Sequence, residues 1–199
     1  MASRALWLTA SLFLMSGCAW TAQQVNLKAD VTVNEANLGR GQSVFVDVND
    51  ERPKNALGTK VPTGGGEITP IQDPKEVVSQ ALVLGVTRLG FKPVKGQGGS
   101  ATLKAELRAI DYKVNQGFWA GGLTVDVALK SICIVDGRQQ YEKMHRGHHE
   151  ESIQVAQTAA ENEEYINAAL SQAINEVLTD GALMQCLAGT TTPGPVVER

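Results

Sequence analysis

Strict alternation of apolar and polar residues dominates this chain. Val25, Leu27, Ala29, Val31 and Val33 alternate with Asn26, Lys28, Asp30 and Thr32, which predicts a strand with one buried face. Asn34 to Gly41 collects Asn, Gly and charge and reads as a turn. Val44, Val46 and Val48 then alternate with Phe45 and Asp47 in a second strand that ends near Pro53, which has no amide to give to a ladder. Lys54 to Thr69 is rich in Gly, Pro and Thr and reads as a long loop with a short strand at Ile68. Its Gly64-Gly65-Gly66 follows no strand, opens no helix and lacks a phosphate-loop lysine, so nucleotide binding is not expected there.

The period then changes from two to about 3.6. Asp73 is the expected N-cap, Pro74 takes the first helical position and Glu76 has capping-box spacing. Val77, Val78, Ala81, Leu82, Val86 and Leu89 make a wide apolar stripe, and Gly90 suits the C-terminal stop. Gly85, costly in a helix interior, is expected to admit close approach to the sheet.

Phe91 to Val94 starts an extended segment. Leu103, Ala105, Leu107 and Ala109 share one phase, and Ile110, Tyr112 and Val114 take the other, so a bulge is expected near Ala109-Ile110. A Gly-rich turn carrying Phe118 and Trp119 leads to the longest alternating strand, Leu123 to Val135. Asp136-Gly137 is a strong hairpin turn, and the partner strand runs from about Arg138 to Ser152. Thr158 and Glu161 cap a final helix whose broad apolar face includes Ile166, Leu170, Ile174 and Val177. Gly181 ends or thins it, with one more turn over Leu183 to Leu187.

This order, β-β-α-β-β-β-β-α, has too few helices to cover both faces of a large sheet. The expected fold class is α+β: two layers, a mostly antiparallel sheet with two helices packed on one face. The other face would be wet or would dock a partner.

The first residues carry a different signal. Arg4 precedes an apolar run from Ala5 to Met15, followed by Ser16, Gly17 and Cys18, the order of an export signal. Met15-Ser16-Gly17-Cys18 resembles a bacterial lipobox, with Met15 where leucine is commonest. The resemblance implies cleavage before Cys18, diacylglyceryl attachment to it, and a membrane anchor. Ala19 in place of Asp implies, by analogy with enterobacterial sorting, an outer-membrane location facing the periplasm. The expected organisation is a signal peptide over residues 1–17, a lipidated cysteine and tether over 18–24, one domain over 25–188 and a tail over 189–199.

Composition narrows the function further. The formal net charge of −3 argues against a nucleic-acid surface. An exported chain can hold disulfides, and Cys133 and Cys186 are either a bonded pair closing a long loop or two separate buried thiols.

Several weak features in a fixed order carry a family resemblance: the Val46 to Gly58 segment with Arg52, Arg88-Leu89-Gly90-Phe91, the hairpin across Asp136-Gly137, and Ile166 to Asp180 with Ala169, Ile174, Asn175, Val177, Leu178 and Thr179. On these residues the chain resembles the YajG-type family of uncharacterised bacterial lipoproteins. The resemblance brings no catalytic residues with it, and implies a shape similar to small accessory domains of envelope machines.

No constellation of residues points to catalysis. His145 and His149 share one face of their strand with Glu151, and His148 points away, so three metal ligands do not readily converge and surface imidazoles are expected. Ser131 lies in the core-facing phase, with no nucleophile elbow. Asp47, Asp50, Asp111 and Asp126 are not placed in pairs across a cleft. No metal and no cofactor are expected. Arg52, at a strand end beside Asp50, is either a partner contact or half of a pair shaping the following loop. Phe118 and Trp119 either pack under their turn or form an exposed anchor for a partner, a glycan or a membrane surface. The reading is a non-enzymatic, lipid-anchored docking module for an envelope protein. The alternative, a small-ligand or glycan binder, requires a concave pocket above roughly 300 Å³ with a few convergent polar groups.

Overall fold

The computed structural model describes residues 21–96, 98–115, 121–153 and 157–189. Among these, eight strands form one mixed, curled sheet, and three helices pack against it. The strands are β1 (Gln23–Val25), β2 (Ser43–Asp50), β3 (Gly58–Thr59), β4 (Glu67–Pro70), β5 (Lys92–Val94), β6 (Ala101–Asn115), β7 (Gly121–Val135) and β8 (Arg138–Ile153). The helices are α1 (Pro74–Arg88), α2 (Ala159–Leu178) and α3 (Gly181–Leu187).

The sheet corrects the expected fold class. Only β6, β7 and β8 form the antiparallel meander. β2 runs parallel to both β5 and β6, with Val44 opposite Ala101 and Asp50 opposite Leu107. The physical cause is α1, a crossover between β2 and β5 that returns the chain in the direction it left. Further along the same edge of β6, Gly58 of β3 pairs with Tyr112, and β4 and β1 extend the sheet outward. A hypothetical Cβ on Gly58 would fall on the Tyr112 carbonyl, so this junction needs glycine. The sheet is therefore mixed and curled, and not a mostly antiparallel layer.

The meander follows the alternation closely. The register slips between Leu107 and Ala109, leaving Arg108 as the extra residue, just upstream of the expected bulge. The hairpin turn puts Asp136 and Gly137 at φ 51° and 72°, the left-handed pair of a type I′ turn. Leu103, Leu107, Leu123, Val125 and Leu129 are fully buried beneath Ile166, Leu170, Ile174 and Val177 of α2. At Gly147 of β8 a side chain would strike the Ala169 carbonyl, which marks a close approach of sheet and helix. Gly85 serves a helix–helix contact instead of a helix–sheet one: its face lies against Leu178 of α2.

The first predicted strand is mostly not a strand. Pairing stops at Val25, and the chain continues extended as a strap along α2. Its backbone amides bond to side chains on one ridge of that helix. The Asn26 amide donates to Oε2 of Glu163 at 2.8 Å, Lys28 to Oδ1 of Asn167 at 2.8 Å, Asp30 to Oγ of Ser171 at 2.9 Å and Thr32 to Oδ1 of Asn175 at 2.8 Å. Asn167 and Asn175 donate back to the carbonyls of Asn26 and Asp30. Four helical residues rise about 6 Å and two extended residues about 6.6 Å, so the two ladders stay in step.

Candidate functional site

The strap gives the molecule two distinct ends. Near the start of α2, Asn162 donates to the Gln23 side chain at 2.6 Å, and Gln23 reaches the Gln157 carbonyl. Gly121, the first residue of β7, lies at the same end, because it pairs with Ile153 shortly before Gln157 in the chain. At the far end of α2, about 30 Å away by helix length, the strap delivers Thr32 to Asn175 and enters the loop before β2.

A groove of about 620 Å³ lies at that far end. Leu89, Leu178, Met184 and Ala188 supply apolar lining, and Asn34, Asn37, Arg40 and Thr179 supply polar groups. The rim is rigid. Amides of Ala36, Gly39 and Gly41 donate to the carbonyls of Arg88, Leu89 and Gly90 at 2.8, 2.9 and 2.8 Å. Gly39 rests on the Phe91 ring with no room for a side chain. Arg40 and Gly41 are both left-handed, at φ 47° and 76°. Leu38 stands on this rim 53% exposed. In the sequence Asn34 to Gly41 carries only turn chemistry, and its one other signal is an isolated Leu38-Gly39-Arg40 among Asn and Gly.

One buried carboxylate, outside the lining itself, holds the helix corner that carries the groove's other wall. Asp180 ends α2 and caps α3, its Oδ1 accepting the Leu183 amide at 3.0 Å. Its Oδ2 accepts from Tyr141 at 2.9 Å and from Lys143 at 2.8 Å. Burial pushes this carboxyl up, but the bonds from Lys143, Leu183 and Tyr141 outweigh it, and its pKa lies below the usual carboxylate value. Burial and Asp180 together push the Tyr141 hydroxyl up to about 12. The turn sends α3 back toward β7, where Cys186 is bonded to Cys133 across a separation of 53 residues.

The remaining candidates do not converge. The Arg52 side chain is 4% exposed and grips Asp50 through two bonds of 2.9 and 2.8 Å, while Nη1 reaches the Asn55 carbonyl. That geometry shapes the loop. The histidines divide between the two faces of β8. His148 is exposed and bonds Asp126 at 2.8 Å, and that partner, against slight desolvation, raises its pKa. His149 stacks on Tyr165 at 4.7 Å. His145 is 2% exposed, so the expected surface imidazole is a core residue here. Its Nε2 lies 2.8 Å from Ser131 Oγ, a nucleophile–base distance, yet Ser131 has no exposure to a substrate. Among the described residues no group of three or more His, Cys, Asp or Glu is placed to hold a metal ion.

The uncovered sheet face is a carpet of ion pairs. Glu106, side chain 6% exposed, accepts from Lys104 at 2.7 Å and Arg108 at 2.6 Å, and Lys130 meets Glu142 at 2.8 Å. Cys18, Phe118, Trp119 and the tail from residue 190 lie outside the described residues.

Comparison with known proteins decides the relationship. A family profile described as uncharacterized lipoprotein matches residues 29–188. The chain belongs to this lipoprotein family. The match spans the later part of the strap, β2 to β8 and all three helices, and agrees with the family resemblance read from the sequence. Membership implies association with a membrane, and among the described residues no helix is long and apolar enough to cross one.

A search of curated proteins finds no match. Among solved structures, the lipoprotein is similar to protein XCC0632 from Xanthomonas campestris, at 14% identity and TM-score 0.53, covering 84% of this chain and 96% of that one. A minor lipoprotein from Acinetobacter baumannii is 7% identical with TM-score 0.44, covering 74% of this chain and 92% of that one. A homologue of neuraminyllactose-binding hemagglutinin from Helicobacter pylori is 7% identical with TM-score 0.45, over 81% and 97%. At these identities the first likeness speaks to fold alone.

Proposed function

We propose that this lipoprotein acts without catalysis, as a docking module that is tethered through acylated Cys18 to the outer membrane on its periplasmic side and offers its far end to an envelope protein. The observation that carries the reading is the polarity of α2. Gln23, five residues after Cys18, is tied to the helix start, and the groove with exposed Leu38 lies beyond the helix end. A short tether at one end holds that groove away from the bilayer. On this reading Phe118 and Trp119 contact the membrane surface, where aromatic side chains suit an interface. Arg52 keeps a local role in holding its loop.

The test is photo-crosslinking in intact cells from position 38, with position 113 on the wet face as the control. A discrete envelope protein captured from position 38 and not from position 113 supports docking. Identical or absent adducts at both positions contradict it. Cys18→Ala should release the protein from the outer-membrane fraction.

The groove volume of about 620 Å³ also favours a second reading, a lipoprotein that binds a small ligand at the same far end.

A further inference from the structure

We propose that the far-end groove is a binding site for a long-chain carboxylate, an acyl chain whose negative head is held by Arg40. This rests on the small-ligand reading and is independent of docking to a protein.

Charge complementarity selects the head group. The groove lining contains one cation, Arg40, and no carboxylate. Elsewhere on the surface Lys104, Arg108, Lys130 and Lys143 each meet an acidic partner within 2.8 Å. Arg40 has no such partner among the described residues. Its guanidinium presents a planar fork suited to a carboxylate, and the amides of Asn34 and Asn37 stand in the same lining.

The backbone places that fork at a cost. Arg40 is one of two non-glycine residues with positive φ among those described, and it is fixed between the bonds of Gly39 and Gly41 to the Leu89 and Gly90 carbonyls. A left-handed conformation is uncommon for arginine. Those backbone bonds keep Arg40 on the groove rim before any ligand arrives, so that only its side chain remains to be ordered on binding.

The apolar lining suits the chain. Leu38 is exposed on the rim, and Leu89, Leu178 and Met184 are 5%, 1% and 4% exposed beneath it. A chain laid across this floor covers Leu38 and keeps its head at Arg40. The volume lies within the roughly 300–1,000 Å³ typical of small-molecule sites.

The test is titration of the disulfide-intact mature chain with laurate below its micelle concentration, beside dodecyltrimethylammonium as the cation of matched chain. The expected result is saturable binding of one laurate, at least tenfold tighter than the cation. Amide shifts in an NMR titration should centre on Leu38, Arg40 and Met184. Arg40→Glu should weaken laurate at least tenfold, and Lys113→Glu should leave it unchanged. No saturable binding, equal affinity for both amphiphiles, or an indifferent Arg40→Glu overturns the proposal. Saturation that appears only after deletion of residues 190–199 assigns the groove to the chain's own end and overturns it as well. None of these failures alters the crosslinking outcome at position 38, so the two readings fall separately.

Discussion

The Thr32 amide donates to Oδ1 of Asn175 at 2.8 Å, and Nδ2 of the same asparagine donates to the Asp30 carbonyl at 2.8 Å. One side chain thus satisfies both a donor and an acceptor of an extended backbone, as a neighbouring strand would. With Glu163, Asn167 and Ser171 it lets a helix replace a strand as the strap's partner. Asn175→Ala removes both bonds at a partly solvated site. The expected loss is about 1–2 kcal/mol, with faster hydrogen exchange at the amide of Thr32, while the Asp30 amide keeps its bond to Ser171. Unchanged exchange at Thr32 would contradict the strap's dependence on the ridge.

Asp180 couples the end of α2 to β8 and to α3. Asp180→Asn removes the charge that Lys143 and Tyr141 address, and Asp180→Ala removes the cap as well. The alanine variant should lose about 3 kcal/mol. The sign of the pH dependence follows from a folded-state pKa below the ordinary 3.8. Such a group stabilises the fold above its unfolded value, and that stability fades as pH falls through the folded one. The gap between wild type and Asp180→Asn should therefore be constant above about pH 5 and close below about pH 4. Denaturant unfolding across pH 2–7 measures it.

The Cys133–Cys186 bond joins α3 to β7 and so fixes the groove's wall. Its loop of 53 residues predicts about 4 kcal/mol of stabilisation in the chain-entropy account. The double serine variant should melt roughly 10 °C lower, and a reducing agent should bring the wild type to the same temperature. Coincident melting with and without reductant would contradict the prediction.

Gly85 is a test of packing against propensity. Alanine gains about 1 kcal/mol in a helix, yet its methyl group would overlap the Leu178 side chain. Net destabilisation of about 1–2 kcal/mol is expected. Combined with Leu178→Ala, the cost should be smaller than the sum of the two single costs. Simple additivity would place the clash elsewhere.

These features were unequally legible in the sequence. The caps at Asp73 and Thr158, the Asp136-Gly137 turn and the slip beside Ala109 are local, and periodicity plus turn chemistry revealed them. Strand direction was not local. Alternation at Val44, Val46 and Val48 announces a half-buried strand, but parallel pairing with β6 depends on where α1 returns the chain. Val25 to Val33 shows the right buried face, but its partner is a helix, and the spacing of Glu163, Asn167, Ser171 and Asn175 does not by itself announce a bonded strap. His145 reads as a surface imidazole from its own strand, but the last turns of α2, around Glu176, cover it. The groove needed the loop after the strap, the end of α1 and the α2–α3 corner to meet, a coincidence no single segment advertises.

The central claim is the orientation of the tethered molecule, and spin labels test it most directly. Nitroxides at positions 24 and 38 of the acylated protein in vesicles should report opposite surroundings. The label at position 24 should be relaxed by lipid-phase oxygen, and the label at position 38 only by an aqueous nickel chelate. Lipid contact at position 38, or equal aqueous exposure at both positions, would contradict a groove held out from the membrane.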